Sequence, residues 1–294
     1  MHVAVIGAGA IGTVLAAAAC EAGQQVTVCA RTPIQTLVLE RDNKARRLPV
    51  TIAADPGDPD LAPADIVWVA TKLRDTASAA PWLARVCGPD TLVAAAQNGL
   101  DQDTRLAAFA PSEWVVPALT YIAAERLEPG RIVHLAGDRV VVPAGESEKL
   151  LSQTTAGLVM RGVQDMLTAC WRKLLGNLVA NPITALTLRR IGVMAEPGIE
   201  DLARGLLLEA VQVGRAEGAR LGDEDVAAVL AGTGQYGDRT GSSMLYDRLA
   251  GRPLEHQYLT GEVVRRAETH GIPVPLNAAI LALLDALDQG GSRP

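Results

Sequence analysis

The chain has few aromatic residues and no excess of positive charge. Its 294 residues include four Trp, four Tyr and one Phe, and 33 Asp and Glu outnumber 27 Lys and Arg, giving a formal net charge of −6. Without a basic surface for phosphates or aromatic rings for base stacking, the composition argues against a nucleic-acid partner. Hydrophobic residues make up 49% of the chain, which excludes global disorder, and the length suits two domains.

Cysteines, histidines and long apolar runs are also scarce. The four cysteines are far apart and form no C-x-x-C pair, so we expect free core thiols in a reducing compartment. The four histidines share no ligand-like spacing, so no metal is expected. The sequence contains no run of about 18 uncharged apolar residues, so no membrane span is expected. The apolar N-terminus lacks the basic start of a signal peptide. We therefore expect a soluble cytoplasmic protein with no membrane partner.

A glycine motif follows the first predicted strand, His2–Ile6, and opens a helix. The first glycine, Gly7, permits a tight turn, Gly9 lets backbone N–H groups approach a pyrophosphate, and Gly12 lets the helix pack on the strand. The helix N-terminus adds partial positive charge for that anion. The pattern predicts a dinucleotide site, the alternative being a glycine-rich turn that binds nothing. The predicted cofactor-binding residues of this turn are Gly7, Ala8, Gly9, Ala10, Ile11 and Gly12.

Two basic residues indicate which dinucleotide binds. After the second predicted strand, Gln25–Cys29, an NAD site usually has an Asp or Glu for the ribose hydroxyl, but this chain has Arg31. An arginine can instead form a charge-assisted pair with a 2′-phosphate. Lys72 follows another predicted strand and would lie at the same edge of the sheet. Either residue could be a solvated surface charge, but together they favour NADPH.

Gln97-Asn98-Gly99 follows the predicted strand Thr91–Ala96, at the sheet edge where ligands bind in open α/β folds. Asn98 offers an amide donor and acceptor to a nicotinamide or a substrate. The alternative is that Asn-Gly only forms a common turn, and the residues themselves leave both interpretations open.

Strands alternate with helices in the first half of the chain, which predicts βαβ units and a parallel sheet. The segments Arg131–Leu135 and Asp138–Val142 suggest a hairpin that closes this domain. Beyond Gln164 the pattern is almost entirely helical. We predict the α/β class, with a Rossmann NADP-binding domain at 1–163 and an all-helical substrate and catalytic domain at 164–294.

One predicted helix carries an unusual polar stripe. At about 100° per residue, Lys173, Asn177, Asn181 and Thr184 share one side of it. A stripe in contact with water would favour Glu, Lys or Arg, which form helices better than Asn does. A lysine flanked by amides is suited instead to a small polar anion. A second cluster contains Ser242, Ser243 and Glu255. The residues alone indicate only surface features, with Ser242 or Ser243 as a helix cap and Glu255 as a charge that complements a helix dipole.

The motifs together resemble those of the ketopantoate reductases (2-dehydropantoate 2-reductases). The resemblance rests on G-A-G-A-I-G, Arg31, Lys72, Q-N-G at 97–99, Trp-Arg-Lys at 171–173 leading to Asn-Pro at 181–182, and S-S-M-L-x-D through P-L-E at 242–255. It covers nearly the whole chain. It implies a Rossmann domain with a helical domain, and reduction of 2-dehydropantoate to (R)-pantoate with NADPH in pantothenate and coenzyme A synthesis.

By position, the resemblance also implies residue roles. Lys173 corresponds to the catalytic lysine and Glu255 to the active-site glutamate of the family. The residues that correspond to substrate- or cofactor-contacting groups are Asn98, Asn177, Asn181 and Ser243. We expect a small-molecule 2-oxoacid as partner and a monomer or homodimer.

One stretch departs from the family pattern. Where the family commonly has a second Asn-Gly-containing segment that touches substrate, this chain has Leu-Arg-Arg-Ile-Gly at 188–192. The reaction class is unaffected, but a reductase of another 2-oxoacid or a β-hydroxyacid-type dehydrogenase stays an alternative. A further alternative is an NADPH-sensing protein without turnover.

Overall fold

The computed structural model describes residues 1–110, 112–233 and 240–290. The chain divides into two compact units, one formed by Met1–Gln97 with Asp101–Met166, the other by Asn98–Leu100 with the chain from Leu167 onward. The sequence predicts a domain boundary after Val163, and this boundary stays a prediction.

The first unit contains all the strands of the described chain. They are β1 (His2–Ile6), β2 (Gln25–Cys29), β3 (Val38–Arg41), β4 (Lys44–Arg47), β5 (Thr51–Ala53), β6 (Ile66–Val69), β7 (Leu92–Ala95), β8 (Val115–Pro117), β9 (Leu119–Glu128), β10 (Arg131–Pro143) and β11 (Val159–Val163). Its helices are α1 (Ala10–Glu21), α2 (Ala80–Val86), α3 (Gln102–Ala107) and α4 (Glu146–Thr154), with a 3-10 helix at Leu73–Ala79.

Six of these strands form a parallel sheet in the order β5-β2-β1-β6-β7-β8. The central strands are apolar and rich in valine and isoleucine, as expected for strands covered on both faces, and every residue of β6 and β7 is buried. Because the strands are parallel, their carboxyl ends lie along one edge, where the glycine turn follows β1. The Rossmann-like α/β sheet predicted from the alternation is confirmed.

The second sheet has the order β11-β10-β3-β4, with β9 paired to β10. The sequence predicted a hairpin of two short strands on either side of Gly137, and this prediction was wrong. The segment is one long strand, β10, whose antiparallel partner is β9. Gly137 lies where the register shifts between Ala136 and Arg139, and its φ of +79° is one that glycine adopts without strain. The glycine therefore marks an irregularity within a strand.

Helix α1 is buried on all sides. Its residues from Gly12 to Ala19 are inaccessible to solvent, and they share a core with β1 and with Ile132 and Val140 of β10. A helix that is apolar around its whole circumference is typical of such a position. This core holds the glycine turn rigidly at the start of α1.

The predicted free thiols are confirmed. All four cysteines are unpaired, and Cys29, Cys87 and Cys170 are buried. Burial raises the pKa of the Cys29 and Cys87 thiols to about 12. In the described part of the chain, no helix has both the length and the apolar character needed to cross a membrane.

All the regular secondary structure described in the second unit is helical. Its helices are α5 (Met166–Thr187), α6 (Pro197–Ala216), α7 (Asp223–Thr233), α8 (Ser243–Leu249), α9 (Thr260–His270) and α10 (Pro275–Gly290), with 3-10 helices at Ile191–Ala195 and His256–Tyr258. Helix α5 continues through Pro182. Near its start, Arg172 donates to the buried carboxylate of Asp225 at 2.7 Å, and Asp225 also accepts the Gly222 N–H at 2.9 Å. These bonds connect α5 to the start of α7.

Candidate active site

The turn between β1 and α1 has the geometry of an anion cradle. Gly7 has a φ of +110°, and a Cβ there would lie 2.9 Å from the Ala70 carbonyl oxygen. A Cβ on Gly12 would lie 1.9 Å from the Gly7 carbonyl oxygen, whereas one on Gly9 would meet no described atom within 4 Å. Gly9 is also the N-cap of α1 and provides no side-chain cap. Two glycines thus permit close packing and the third leaves the helix N-terminus open, which fits a dinucleotide pyrophosphate.

The segments carrying Arg31 and Lys72 approach each other beside this turn. Arg31 is exposed, and its guanidinium lies 3.7 Å from the carboxylate of Asp75. Asp75 belongs to the 3-10 helix whose N-cap is Lys72. The two cations predicted from separate strand ends therefore both lie at the start of one short helix. Asp75 was not predictable from the sequence, because a carboxylate three residues after Lys72 belongs to no motif.

Gln97 belongs to the predicted Q-N-G motif, but the sequence indicated no role for its side chain. Its buried side-chain amide donates to the carbonyl oxygen of Thr71 at 3.1 Å, to the Thr71 hydroxyl at 3.0 Å and to the Thr76 hydroxyl at 3.0 Å. These bonds connect the end of β7 to the loop that carries Lys72. Only the folded sheet reveals this role, since β6 and β7 are distant in sequence but adjacent in the sheet.

Asn98, the residue after Gln97, belongs to the second unit and contacts helix α5 of that unit. The side-chain oxygen of Asn98 accepts a long hydrogen bond of 3.4 Å from the Asn177 amide. Asn177 lies on α5 one turn after Lys173, and all three side chains are partly buried. The interpretation of Asn98 as only a turn residue does not account for this contact. The structure thus brings together Asn98, Asn177 and the turn of α5 that carries Lys173.

The predicted stripe on α5 divides into two parts. Asn181 and Thr184 are buried, and the Asn181 side-chain oxygen accepts hydrogen bonds from the Ser243 hydroxyl at 3.1 Å and the Met244 N–H at 3.3 Å. The Thr184 and Ser242 hydroxyls are 2.7 Å apart. This half of the stripe secures the start of α8, while Lys173 and Asn177 occupy the partly exposed half.

The two serines of the second predicted cluster lie at the start of α8. Ser242 is the N-cap of α8, and its hydroxyl accepts the Leu245 N–H at 3.1 Å, as the sequence suggested for one of the two serines. Ser243 is exposed apart from its bond to Asn181. Contact of Asn181 and Ser243 with a substrate stays a prediction.

Glu255 is buried, with a relative exposure of 6%. The interpretation of this residue as a surface charge at a helix start was therefore wrong. A buried carboxylate is costly unless its surroundings compensate the charge.

Two aspartates of α10 hold the residues on either side of Glu255. The Leu254 N–H donates to the Asp288 carboxylate at 3.0 Å. The His256 ring nitrogen Nε2 lies 2.9 Å from Oδ1 of Asp285, which also accepts the Gln257 amide at 2.5 Å. The segment on either side of the glutamate is thus attached to one helix, by backbone before Glu255 and by side chains after it.

We expect replacement of Asp285 by alanine to displace Glu255 and lower turnover by about tenfold, because misplacement of about 1 Å at a reacting group can cost up to about 100-fold. NADPH binding, measured by fluorescence titration, should be unchanged. Asp285→Asn keeps an oxygen acceptor and should restore most of the turnover.

The control for this prediction is Asp201→Asn, which removes an exposed carboxylate from α6. It should behave as the parent protein. Equal turnover in the Asp285→Ala and parent proteins would contradict the positioning role.

The stretch at 188–192 that departs from the family pattern is exposed in its first three residues, whereas Ile191 is buried. Leu188 ends α5 with a φ of +56°, and Arg189 donates to Glu196 at 2.5 Å. Both arginines of the stretch are exposed, and Arg190 is the N-cap of the following 3-10 helix. The charge of Arg189 is therefore balanced by its neighbour Glu196.

Comparisons with known proteins agree with these features. The family profile "Ketopantoate reductase PanE/ApbA" matches residues 3–147, and its C-terminal counterpart matches residues 165–288. The 2-dehydropantoate 2-reductase of Caulobacter vibrioides is 37% identical over 97% of this chain and 98% of that protein. Two solved ketopantoate reductases share the fold. The one from Ralstonia eutropha is 29% identical, covers 100% of both chains and has a TM-score of 0.89. The one from Staphylococcus aureus is 27% identical, covers 99% of this chain and 100% of that chain, and has a TM-score of 0.88. The chain therefore belongs to the ketopantoate reductase family.

Proposed function

We propose that this protein reduces 2-dehydropantoate to (R)-pantoate with NADPH. The observation that carries the proposal is that Asn98 contacts Asn177 of α5, one turn after Lys173, and that all three side chains are partly buried. A cation beside two amides is suited to a substrate that has a carboxylate, a carbonyl and a hydroxyl group. Membership of the family supports the same reaction.

We assign cofactor binding to the first unit and substrate binding to the second. The glycine turn from Gly7 to Gly12 would receive the pyrophosphate, and Arg31 and Lys72 the 2′-phosphate. Asn98 would contact the nicotinamide or the substrate. NADPH, when bound, supplies the hydride, and the protein supplies orientation and electrostatics.

Lys173 acts as the general acid in this proposal. Reduction of a carbonyl develops negative charge on its oxygen, and an ammonium group beside that oxygen stabilises the charge and donates the proton. The ammonium form of a lysine side chain supplies both the positive charge and the proton for this step.

The other polar residues would orient the reacting groups. The buried Glu255 would hold either the Lys173 ammonium or a substrate hydroxyl. The uncharged groups of Asn177, Asn181 and Ser243 would bind the carboxylate and hydroxyl of the substrate without adding charge.

We expect replacement of Arg31 by alanine to weaken NADPH binding by about 10- to 100-fold, the range for losing a charge-assisted hydrogen bond. Binding of NADH, which lacks the 2′-phosphate, should change by less than about twofold on the same basis. Fluorescence titration with each cofactor measures both values.

The matched control is Arg47→Ala, which removes an exposed arginine from β4 in the same unit. It should leave both affinities unchanged. If Arg31→Ala weakens NADPH and NADH binding equally, the arginine does not recognise the 2′-phosphate.

The decisive test is a substrate panel followed by loss of NADPH absorbance. It compares 2-dehydropantoate, trimethylpyruvate (which lacks the hydroxyl), 2-oxobutanoate and pyruvate under identical conditions. The proposal predicts the highest kcat/KM for 2-dehydropantoate. The altered stretch at 188–192 makes this comparison necessary, and a higher value for a smaller 2-oxoacid would reassign the substrate. Binding of NADPH without oxidation across the panel would support a sensing protein instead.

We also propose that the protein forms a homodimer, because the Staphylococcus aureus relative is described as dimeric. Light scattering coupled to size-exclusion chromatography measures the mass directly. A mass equal to that of one chain would contradict this proposal.

A further inference from the structure

The outward side of helix α10 is apolar. After Pro275, the exposed residues among 276–288 fall within an arc of about 160° around the helix axis, at about 100° per residue. They are Leu276, Ala278, Ala279, Ala282, Leu283 and Ala286. None of these side chains carries a charge or a hydrogen-bonding group, and Leu283 is 56% exposed.

The polar residues of the same helix point into the protein instead. Asn277 is fully buried and donates to the Glu209 carboxylate at 2.7 Å. Asp285 and Asp288 are partly buried and hold the segment around Glu255. A surface helix normally has the opposite arrangement, with its charged residues facing water. These bonds explain the inward side of α10 but not its uncharged outward side.

The two long helices that pack against α10 do expose charges. Helix α6 exposes Asp201 and Arg204, and helix α9 exposes Arg265 and Glu268. Among these three helices of the described chain, only α10 has an uncharged outward side.

The apolar surface continues onto α6. A Cβ on Gly205 would lie 2.5 Å from Cδ1 of Leu276, so the Leu276 side chain rests on the backbone of α6. Leu208, a neighbour of Gly205 on the surface of that helix, is 42% exposed. We call the six exposed residues of α10 together with Leu208 the α10 face. Contiguous apolar surface that spans two elements is typical of an interaction site.

The absence of charge favours a second copy of the chain as the occupant of this face. A strongly charged partner would find no opposite charge there, and residues 275–288 expose no Lys or Arg of the kind with which a helix binds an anionic lipid surface. In a two-fold dimer the face meets its own copy, so an uncharged apolar surface is self-complementary, whereas a charged one repels itself. This condition is strict for a chain with a net charge of −6.

The size of the face suits the centre of a dimer interface. A stable interface buries about 800 Å² on each partner, with an apolar centre and a polar rim. Helix α10 has 16 residues and is therefore about 24 Å long, so α10 and the adjoining part of α6 present roughly 500 Å². The exposed Asp201 and Arg204 of α6 provide both signs of charge for a rim. The alanines let the two copies of α10 approach closely.

We infer that the α10 face is the surface through which two copies of this chain associate. The inference rests on the homodimer proposed above and identifies its interface. Because the other side of α10 holds the segment around Glu255, this interface covers the helix that supports the proposed catalytic glutamate.

The test places a charge in the face with Leu283→Glu and, one turn earlier, with Ala279→Glu. The dissociation constant of the dimer is measured by sedimentation equilibrium of the full chain over a range of concentrations. Leu283→Glu should raise this constant by at least about 100-fold, because each copy loses a buried leucine. Ala279→Glu should raise it in the same direction. Both positions are exposed within one chain, so circular dichroism and Tm should match those of the parent.

The matched control is Leu249→Glu, which makes the same substitution at a leucine of α8 that is 64% exposed and lies outside the α10 face. It should leave the dissociation constant unchanged. A dimeric parent whose Leu283→Glu and Ala279→Glu variants dimerise equally well would overturn this inference alone. So would equal weakening by Leu249→Glu and Leu283→Glu.

A parent that stays a monomer at every concentration would overturn the proposed homodimer and this inference together, without affecting the proposed reaction. A monomeric parent that binds phosphatidylcholine vesicles, with binding lost in Leu283→Glu, would also overturn the inference and assign the α10 face to a lipid surface.

Discussion

The Lys173→Ala variant is expected to fold normally, to bind NADPH with unchanged affinity and to lose about 10²–10⁴-fold in kcat, the range for removal of a general acid. The loss should appear in kcat because the role proposed for the ammonium is to stabilise charge that develops only during hydride transfer. Steady-state kinetics with 2-dehydropantoate measures it, and circular dichroism checks the fold.

Two comparisons make this result specific. Lys149→Ala removes an exposed lysine from α4 and should leave kcat unchanged. Small primary amines added to the Lys173→Ala protein should restore part of the rate, since they can supply the missing proton. Near-normal turnover without added amine would exclude Lys173 as the acid.

A second large effect is expected from the glycine turn. In Gly12→Ala the new methyl group would lie 1.9 Å from the Gly7 carbonyl oxygen, and that contact is with backbone. The turn must shift or the helix must move away from β1, which we expect to cost roughly 3 kcal/mol. Thermal unfolding should show Tm lowered by about 6–12 °C, with NADPH binding lost as well.

Gly9→Ala is the matched comparison, because its methyl group meets no described atom within 4 Å and Gly9 has an extended backbone. Its Tm should stay close to that of the parent, while NADPH affinity falls by about tenfold or more through collision with the pyrophosphate. If Gly9→Ala binds NADPH normally, the turn does not hold the cofactor as proposed.

Local sequence patterns predicted the glycine turn, the parallel sheet and the polar stripe on α5, because each depends on residues close together in the chain. The glycine turn follows from a short apolar strand, three glycines at fixed spacing and an alanine-rich helix, all within about twenty residues. The parallel sheet follows from the alternation of strands and helices, since parallel neighbours need crossovers. The polar stripe on α5 follows from the helical period.

Features that depend on distant partners could not be predicted in the same way. Gly137 lies in a strand rather than a hairpin turn because β9 pairs along the whole of β10. The Asp75 contact of Arg31 and the Gln97 contacts of Thr71 join strand ends that are far apart in sequence.

The sequence by itself determined the two-part organisation, the dinucleotide turn and the helix that carries Lys173, because each is encoded by residues within one or two elements. Tertiary structure decided which of those residues are covered. Packing of α8 buries Asn181, α10 holds the segment around the buried Glu255, and neither contact leaves a local signature in the chain. Periodicity defines the faces of a helix, but only the elements that pack against it decide which face remains open to a ligand.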